Sequence, residues 1–442
     1  MRRKVCQLTQ GTPICLAAGF KCRRSRLVSL SVGLSVSHSA LIVLRFVLHY
    51  HLRCRMTSQK KTRKRDTAIF FPAIGAQLIS TTALYILPIL MDALERGGLS
   101  ERKAGLLLSI ELAASALATF CVSTWVPSHS VRRGALLGGQ LAIIGTVLTL
   151  ITPAFPALIA VRLVAGIGAG IAAAEAATVV ARGIDRQRLV ANLTIVGIVH
   201  ASFWLAILPY TVDKLGYRGP YVCLLLICLA GTVLLTRLPS VPVGRHASTG
   251  RPHWPIVGLL VVPAVFLTQL GQGTFWSLEE TFGSRAGLSD HAIGLFLSMA
   301  TLFLLVGAVG AAWAGMRFGR FAPLLTLITI NALSILVVSA VPIPRVFVVA
   351  NVVQSVTNLA SVIYQLGLAA DLDRTGRVIS ASTGAVTLGN GLGPGFSANL
   401  NATFGAPSVG IFVLTLNGLA LAFYCLVGLG RSRTGVVGNS RP

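Results

Sequence analysis

Four ionisable side chains lie inside long apolar runs of this sequence: Glu111, Arg162, Glu175 and His200. A charge inside a lipid bilayer is costly, so such residues either pair with one another or serve the passage of ions and solutes. Glu111 is a candidate for a carboxylate that binds and releases protons, and the alternative is a static ion pair with Arg162. Glu175 is alternatively a solvated carboxylate near the cytoplasmic end of its run. His200 could relay protons or be a hydrogen-bonded structural residue.

Polar and aromatic side chains in or beside three of the runs are candidates for lining a solute cavity. Several recur at helical spacing, most clearly between residues 351 and 365, so they share one helix face that would be costly to expose to lipid. Such amides can also hold helices together. Glu280 follows a tryptophan by four residues and could instead be an acid at the outer rim. The candidates are Gln77, Thr81, Tyr85, Gln269, Gln272, Trp276, Glu280, Asn351, Gln354, Asn358 and Tyr364.

The elements that position these residues follow from composition. The 442 residues are 54% hydrophobic and only 12% charged, too few charges to coat a soluble protein of this length, and the mean hydropathy is +0.77. Twelve segments approach the roughly 20 residues that span a bilayer, where the backbone must be helical. We therefore expect an all-α polytopic membrane protein with twelve transmembrane helices. The segments are 67–90, 103–125, 134–152, 156–180, 190–210, 219–237, 255–278, 291–315, 322–341, 344–369, 378–401 and 407–429.

The basic residues predict the orientation. With the Met56 end inside, 20 Lys and Arg fall on the cytoplasmic side and 7 on the other side, which follows the positive-inside rule. We expect both termini in the cytoplasm and a multi-pass protein of the plasma (inner) membrane. The formal net charge is +25, but no basic stripe is interleaved with aromatic residues, so nucleic-acid binding is not expected.

An internal repeat divides the chain into two pseudo-symmetric six-helix bundles. GLSERKAGLLLS at 98–109 recurs as GLSDHAIGLFLS at 287–298, with seven of twelve positions identical. The predicted units are a first bundle at 66–237, a cytoplasmic linker at 238–254, a second bundle at 255–430 and a cytoplasmic tail at 431–442. Residues 1–65 are predicted to be an N-terminal extension that is cytoplasmic and disordered. The alternative is that the start was wrongly assigned and the protein begins at Met56.

The glycine-rich stretch VAGIGAG at 164–170 could be a dinucleotide loop or a packing face. The third glycine of a dinucleotide loop is missing, since position 171 is Ile, and a strand is not indicated. Gly166 and Gly170 instead form a small-residue face for close helix packing. We assign the same role to Gly393 and Pro394. The cysteines and histidines show no metal-ligand spacing, so neither a metal nor a cofactor is expected.

Several of these motifs together resemble the major facilitator superfamily of secondary transporters. RLVAGIG at 162–168 is similar to the RxxxGxG motif of that family's fourth helix, and WAGMRFGR at 313–320 is similar to its DRxGRR cytoplasmic loop. Met316 replaces the acid of this loop, which puts its gate-latching role in doubt. The resemblance implies that the first, fourth, seventh and tenth helices line a central cavity. The cytoplasmic gate motif it implies consists of Arg132, Arg133, Arg317, Gly319 and Arg320.

The sequence thus predicts a proton-linked transporter that moves a small solute by alternating access of its two halves, rather than an enzyme. Its partners would be the solute, protons and the lipid bilayer, with the chain acting as a monomer. The fifth helix carries only Gly197 and no Gly-Pro, so the signature of the family's proton-coupled drug antiporters is not met. The alternative is a transport-inactive receptor or scaffold on the same fold. A membrane oxidoreductase is disfavoured by the missing cofactor motifs.

Overall fold

The computed structural model describes residues 60–125, 130–152, 154–181, 186–238, 256–315, 317–372 and 377–433. These residues form fourteen helices and, within those ranges, no strand. The predicted linker at 238–254, apart from Leu238, and the segment before residue 60 lie outside the described residues. The helices are α1 (Lys60–Tyr85), α2 (Leu87–Arg96), α3 (Glu101–Trp125), α4 (Val131–Ile151), α5 (Phe155–Val180), α6 (Arg186–Leu215), α7 (Arg218–Leu235), α8 (Ile256–Trp276), α9 (Glu279–Arg285), α10 (Asp290–Ala314), α11 (Phe321–Ala340), α12 (Pro344–Leu372), α13 (Arg377–Phe404) and α14 (Ala406–Arg433).

Twelve of these helices are long, and α2 and α9 are short. Ten of the long helices are long and apolar enough to cross a membrane, and α8 and α13 complete the set. The predicted fold class, an all-α polytopic membrane protein, is confirmed. Apolar side chains such as Ile151, Val233 and Leu429 remain largely exposed on the helix surfaces, as expected where lipid rather than protein covers them.

The two halves repeat the same helix pairings. In the first half α1 packs on α7, and α4 packs on both α5 and α7. In the second half α8 packs on α14, and α11 packs on both α12 and α14. The repeat seen in the sequence therefore extends to the packing of whole helices, as two copies of one six-helix unit require.

The first predicted segment, 67–90, is not one continuous helix. Helix α1 ends at Tyr85, Ile86 leaves helical geometry (φ −97°, ψ 13°), and α2 begins at Leu87 with Pro88 in its first turn. A proline has no N–H to donate, and its ring clashes with the carbonyl four residues earlier, so it ends a helix here. Leu278 occupies the same place in the second half with nearly the same geometry (φ −109°, ψ 11°).

The two halves meet along the distal half of the bundle. We call the end at which α1 begins the N-terminal end, and the end that carries α2 and α9 the distal end. Between the halves, α3 packs along α13 and α6 packs along α10. Ser202 of α6 and Ser298 of α10 share a hydrogen bond of 2.9 Å near the middle of their helices.

Candidate functional site

The buried charges Arg162 and Glu111 meet inside the first half. Arg162, on α5, is fully buried, and Glu111, on α3, is 6% exposed. The guanidinium Nε donates to Oε2 of Glu111 at 2.9 Å, and Nη2 donates to Oε1, so the contact has two points. Arg162 also donates to the hydroxyl of Thr149 at 3.3 Å and lies 5.0 Å from the ring centroid of Tyr221. The pair is therefore surrounded by the first half and does not face the second.

The glycines of α5 allow the helix backbones to come close beside this pair. A Cβ on Gly166 would collide with the carbonyl oxygen of Glu111, and one on Gly170 would collide with that of Ser115, both on α3. On the other side of α5, a Cβ on Gly168 would lie 2.6 Å from the carbonyl oxygen of Gly138 on α4. The glycine-rich stretch thus lies between two neighbouring helices, which holds the carboxylate of Glu111 within reach of Arg162.

A second polar group lies where α1 meets α6. Gln77 and Tyr85 both approach Gly197 of α6, where a Cβ would stand 2.8 Å from the Gln77 amide nitrogen and 3.4 Å from the Tyr85 hydroxyl. The hydroxyl of Thr81 donates back to the carbonyl of Gln77 at 2.8 Å. Gln77, Thr81 and Tyr85 are all partly exposed, so they present hydrogen-bonding groups at mid-depth.

His200 lies next to this group. Its Nε2 is 3.0 Å from the hydroxyl of Thr82, and its ring meets the Trp204 ring edge-on. The arrangement gives His200 a hydroxyl partner on α1 while leaving the ring partly exposed. A histidine so placed can exchange a hydrogen bond with a solute or with the helix beside it.

The polar residues of the second half that bond to one another inside the bundle are amides rather than charged groups. The amide nitrogen of Gln354 on α12 donates to Gln272 of α8 at 2.8 Å, and Asn390 of α13 donates to Gln269 of α8 at 2.9 Å. Each amide offers both a donor and an acceptor. Asn351 is fully buried with no partner for either amide atom among the described residues.

Two members of the predicted α12 stripe are placed differently from the rest. Asn358 is partly exposed and accepts a hydrogen bond from Ser361 at its backbone carbonyl. Tyr364 lies in the second half, toward the N-terminal end of the bundle, and is only 5% exposed. Its hydroxyl donates to the carbonyl of Gly315 at 3.1 Å. The stripe therefore runs from the amide network to a packing contact at the end of α10.

The break between α1 and α2 has a partner in the other half. Because Pro88 has no N–H, the carbonyl of Leu84 lacks the helical donor that a residue four positions later would supply. The indole nitrogen of Trp276, on α8, donates to that carbonyl at 2.9 Å. Trp276 thus stabilises the interrupted helix and ties α1 to α8 across the two halves.

Further hydrogen bonds join the halves toward the distal end. The hydroxyl of Ser109 on α3 donates to the carbonyl of Leu392 and accepts from the N–H of Gly395, both on α13. These contacts flank Gly393 and Pro394, where α13 comes close to its neighbouring helices. Gly393 itself packs on Gly273 of α8, and the Pro394 carbonyl lies against Gly105 of α3.

Glu280 and Glu175 are both buried, at opposite ends of the molecule. Glu280 is 5% exposed in the first turn of α9, at the distal end. Glu175 is 7% exposed on α5 and lies against Gly134, in the first turn of α4. Neither carboxylate is exposed on the surface.

In the predicted cytoplasmic gate motif, at the N-terminal end, one arginine pairs with an acid of another helix. Arg320 pairs with Asp371 at the end of α12, with Nη2 3.0 Å from Oδ1. Arg317 lies over the Trp313 ring at 5.0 Å, and Gly319 takes a positive φ of 69°, which favours glycine. Arg132 and Arg133 are exposed at the start of α4.

Sequence reasoning overlooked Ser109, Asp371 and Asn390. The repeat contained a signal for Ser109, since this position is identical in both copies, as Ser109 and Ser298, and both serines bond across the halves. For Asp371 and Asn390 there was no local signal, because their partners are separated from them by long stretches of chain.

These features define a polytopic α-helical membrane protein built from two similar halves with a polar interior. The sequence model of the Major Facilitator Superfamily matches residues 69–263. Residues 69–263 are thus similar to this superfamily, and the match together with the fold supports a transporter rather than an enzyme.

Solved structures agree with this fold. A crystal structure of the nucleoside transporter NupG has a TM-score of 0.64 and 12% identity, with 82% of this chain and 99% of that chain covered. A crystal structure of the peptide transporter POT has a TM-score of 0.63 and 15% identity, covering 84% of this chain and 95% of that chain. A search of curated proteins finds no significant match.

Proposed function

We propose that this protein moves a small polar solute across the plasma (inner) membrane by alternating access, in a cycle coupled to protons. The observation that carries the proposal is the position of the contacts between the halves. They lie along the distal half of the bundle, and the polar groups of α8 and α12 lie at about the same distance from the distal end. Rocking of one half against the other about these contacts would expose the polar groups to each side in turn.

The proposed solute site combines the two polar groups. Gln77 and Tyr85 supply donors and acceptors from the first half, and Gln272, Gln354 and Asn351 supply amides from the second. A solute that carries both donors and acceptors could replace the amide–amide hydrogen bond and satisfy the unpartnered Asn351. The similar structures include carriers of nucleosides and peptides, two solute classes rich in such groups.

Proton coupling is proposed to involve Glu111. Protonation of this carboxylate would remove one charge of a buried pair and leave Arg162 without its counter-ion. Because an unpaired buried charge is costly, the first half would be driven to rearrange. The N-terminal end is proposed to face the cytoplasm, as the distribution of Lys and Arg predicts.

The test is solute counterflow in proteoliposomes, with a panel of neutral and charged polar solutes and with or without an imposed pH gradient. We expect at least one solute to exchange without a gradient and to accumulate with one. Glu111→Gln should keep counterflow but lose the response to the gradient. Glu175→Gln is the parallel variant, and loss of the pH response in this variant alone would move the coupling site to α5.

Failure is equally informative. If folded protein exchanges no solute of the panel, the transport-inactive receptor becomes the better interpretation. If exchange occurs but no pH gradient drives it, the transport proposal stands and the proton coupling is wrong.

A further inference from the structure

Four carboxylates surround one arginine where the halves meet at the distal end. Arg96, the last residue of α2, contacts Asp92 of its own helix, with Nε 2.7 Å from Oδ2. Its Nη2 lies 2.5 Å from Oδ2 of Asp290, the first residue of α10 in the other half. Glu280 lies close enough to interact electrostatically with these three residues and with Glu95, and we call the four carboxylates with Arg96 the distal carboxylate cluster. If all five groups were ionised, their net charge would be −3.

Glu280 is the least solvated member of the cluster. Only 5% of its surface is exposed, and its Oε2 has no hydrogen-bond partner among the described residues. Asp92, Asp290 and Glu95 act on it with like charge, and only Arg96 acts with opposite charge. Oε1 of Glu95 is likewise buried without a partner. An ionised carboxylate in this position has no hydrogen-bond partner for Oε2 and no counter-ion of its own among the described residues, whereas a protonated carboxyl needs no counter-ion and costs far less to bury.

Among the described helices packed on α9, no second basic side chain acts on Glu280 as Arg96 does. Helix α9 packs on α2, α10 and α12. On α10, His291 pairs with Asp213 of α6 at 3.1 Å. On α12, Arg345 is exposed, and Arg285 is exposed at the far end of α9 itself. Glu279, the neighbour of Glu280, is a further buried carboxylate.

We propose that the distal carboxylate cluster is a proton-binding site, and that the distal ends of the two halves come together only when Glu280 and Glu95 are protonated. The proposal rests on the alternating access proposed above. Two protons reduce the charge of the cluster from −3 to −1, leaving Arg96 to bridge Asp92 and Asp290 across the halves. A proton rather than a metal ion is the ligand, because Arg96 already lies between Asp92 and Asp290, and no three carboxylates of the described residues converge closely enough to hold a metal.

The sign of the pH dependence follows from burial. Desolvation raises the pKa of Glu95 to about 7, with further increase from the charges of Glu101 and Asp92. Desolvation also raises the pKa of Glu280 well above its usual range. In the open form both groups are hydrated and return toward the ordinary glutamate value. Protons therefore stabilise the closed form fully below the ordinary glutamate pKa. The part due to Glu95 is lost as the pH rises through about 7, and the part due to Glu280 is lost as the pH rises through its own raised pKa.

The cluster acts on the conformational equilibrium from one side of the membrane. Its protons arrive and leave through the distal side, so it makes closure sensitive to the pH there without itself carrying protons across. This separates it from Glu111, whose protonation is proposed to drive transport and which lies inside the first half.

The test measures the distance between spin labels at the distal end by pulsed electron paramagnetic resonance. The labels are placed at Lys214→Cys and Ala402→Cys, which are exposed positions on opposite halves, with the native cysteines replaced by serine. The full-length protein is reconstituted in lipid and titrated from pH 8.5 to pH 5. We expect the short-distance population to grow as the pH falls, with a midpoint near 7. Glu280→Gln, which mimics the protonated form, should raise the ratio of closed to open protein at pH 8 about tenfold or more, the equivalent of one pKa unit.

Two further variants keep the outcome decisive. Arg96→Gln removes the bridge between the halves and should shift the population to the open form at every pH. Gly310→Ala, with open space at its Cβ and no change of charge, should leave the midpoint in place. A wild-type distance distribution that does not change with pH overturns the proposal, as does a Glu280→Gln variant that titrates like the wild type. Counterflow measured on the same samples separates the two proposals, because loss of all transport with a normal distance titration refutes only the proposed transport.

Discussion

Removing one partner of the Arg162–Glu111 pair should destabilise the protein far more than removing both. In Glu111→Gln, the guanidinium of Arg162 stays fully buried and keeps at most one neutral acceptor from the former carboxylate. Two unit charges about 4 Å apart at an effective dielectric of about 20 attract by about 4 kcal/mol. Breaking a buried pair typically costs about 3–5 kcal/mol for the same reason. We therefore expect a loss of this size.

The double variant Glu111→Gln/Arg162→Met removes the stranded charge. Methionine is unbranched and apolar, so it can fill the space between Thr149 and the ring of Tyr221. Replacing a buried ion pair by apolar groups is often neutral or stabilising. The double variant should therefore recover most of the stability lost in either single variant.

The assay is the free energy of unfolding of the purified protein in mixed micelles, titrated with a denaturing detergent, for the wild type, both single variants and the double variant. The coupling free energy between the two sites follows from the four values. A cost below about 1 kcal/mol for Glu111→Gln would show that the charge of Arg162 is solvated or paired elsewhere, and would refute the account of a buried, mutually dependent pair.

Three further changes test other contacts. Gly166→Leu must displace the backbone of α3 and should reduce the yield of folded protein severalfold in size-exclusion chromatography, whereas Gly310→Ala, with open space at its Cβ, should match the wild type. Asp371→Asn removes one side of a half-exposed ion pair and should lower stability by no more than about 1 kcal/mol, so a larger loss of thermal stability would contradict its partial exposure. Gln354→Leu leaves the amide of Gln272 without its partner. It should raise the KM of a transported solute about tenfold in uptake assays, while the folded yield stays close to that of the wild type. An unchanged KM would remove this amide from the solute site.

The sequence by itself determined the membrane class, the approximate positions of the spans, the internal repeat and the resemblance to a transporter superfamily. Each of these depends on features that are local or periodic along the chain. Hydropathy over about 20 residues is enough to identify a span, because lipid allows only a helix there. The repeat at 98–109 and 287–298 was likewise readable without coordinates, and the paired helix contacts of the two halves agree with it.

The partners of the polar residues were decided only by the tertiary structure. The sequence left open whether Glu111 meets Arg162, and it treated Glu280 as a cavity residue or a rim acid. The contact between Arg96 and Asp290 joins residues 194 positions apart, and the indole of Trp276 caps a carbonyl that a proline had left free. Helical periodicity says which face a residue occupies, but the packing of distant helices decides what that face meets. In a bilayer this second step determines whether a buried charge is neutralised by an arginine, by a proton or by a solute.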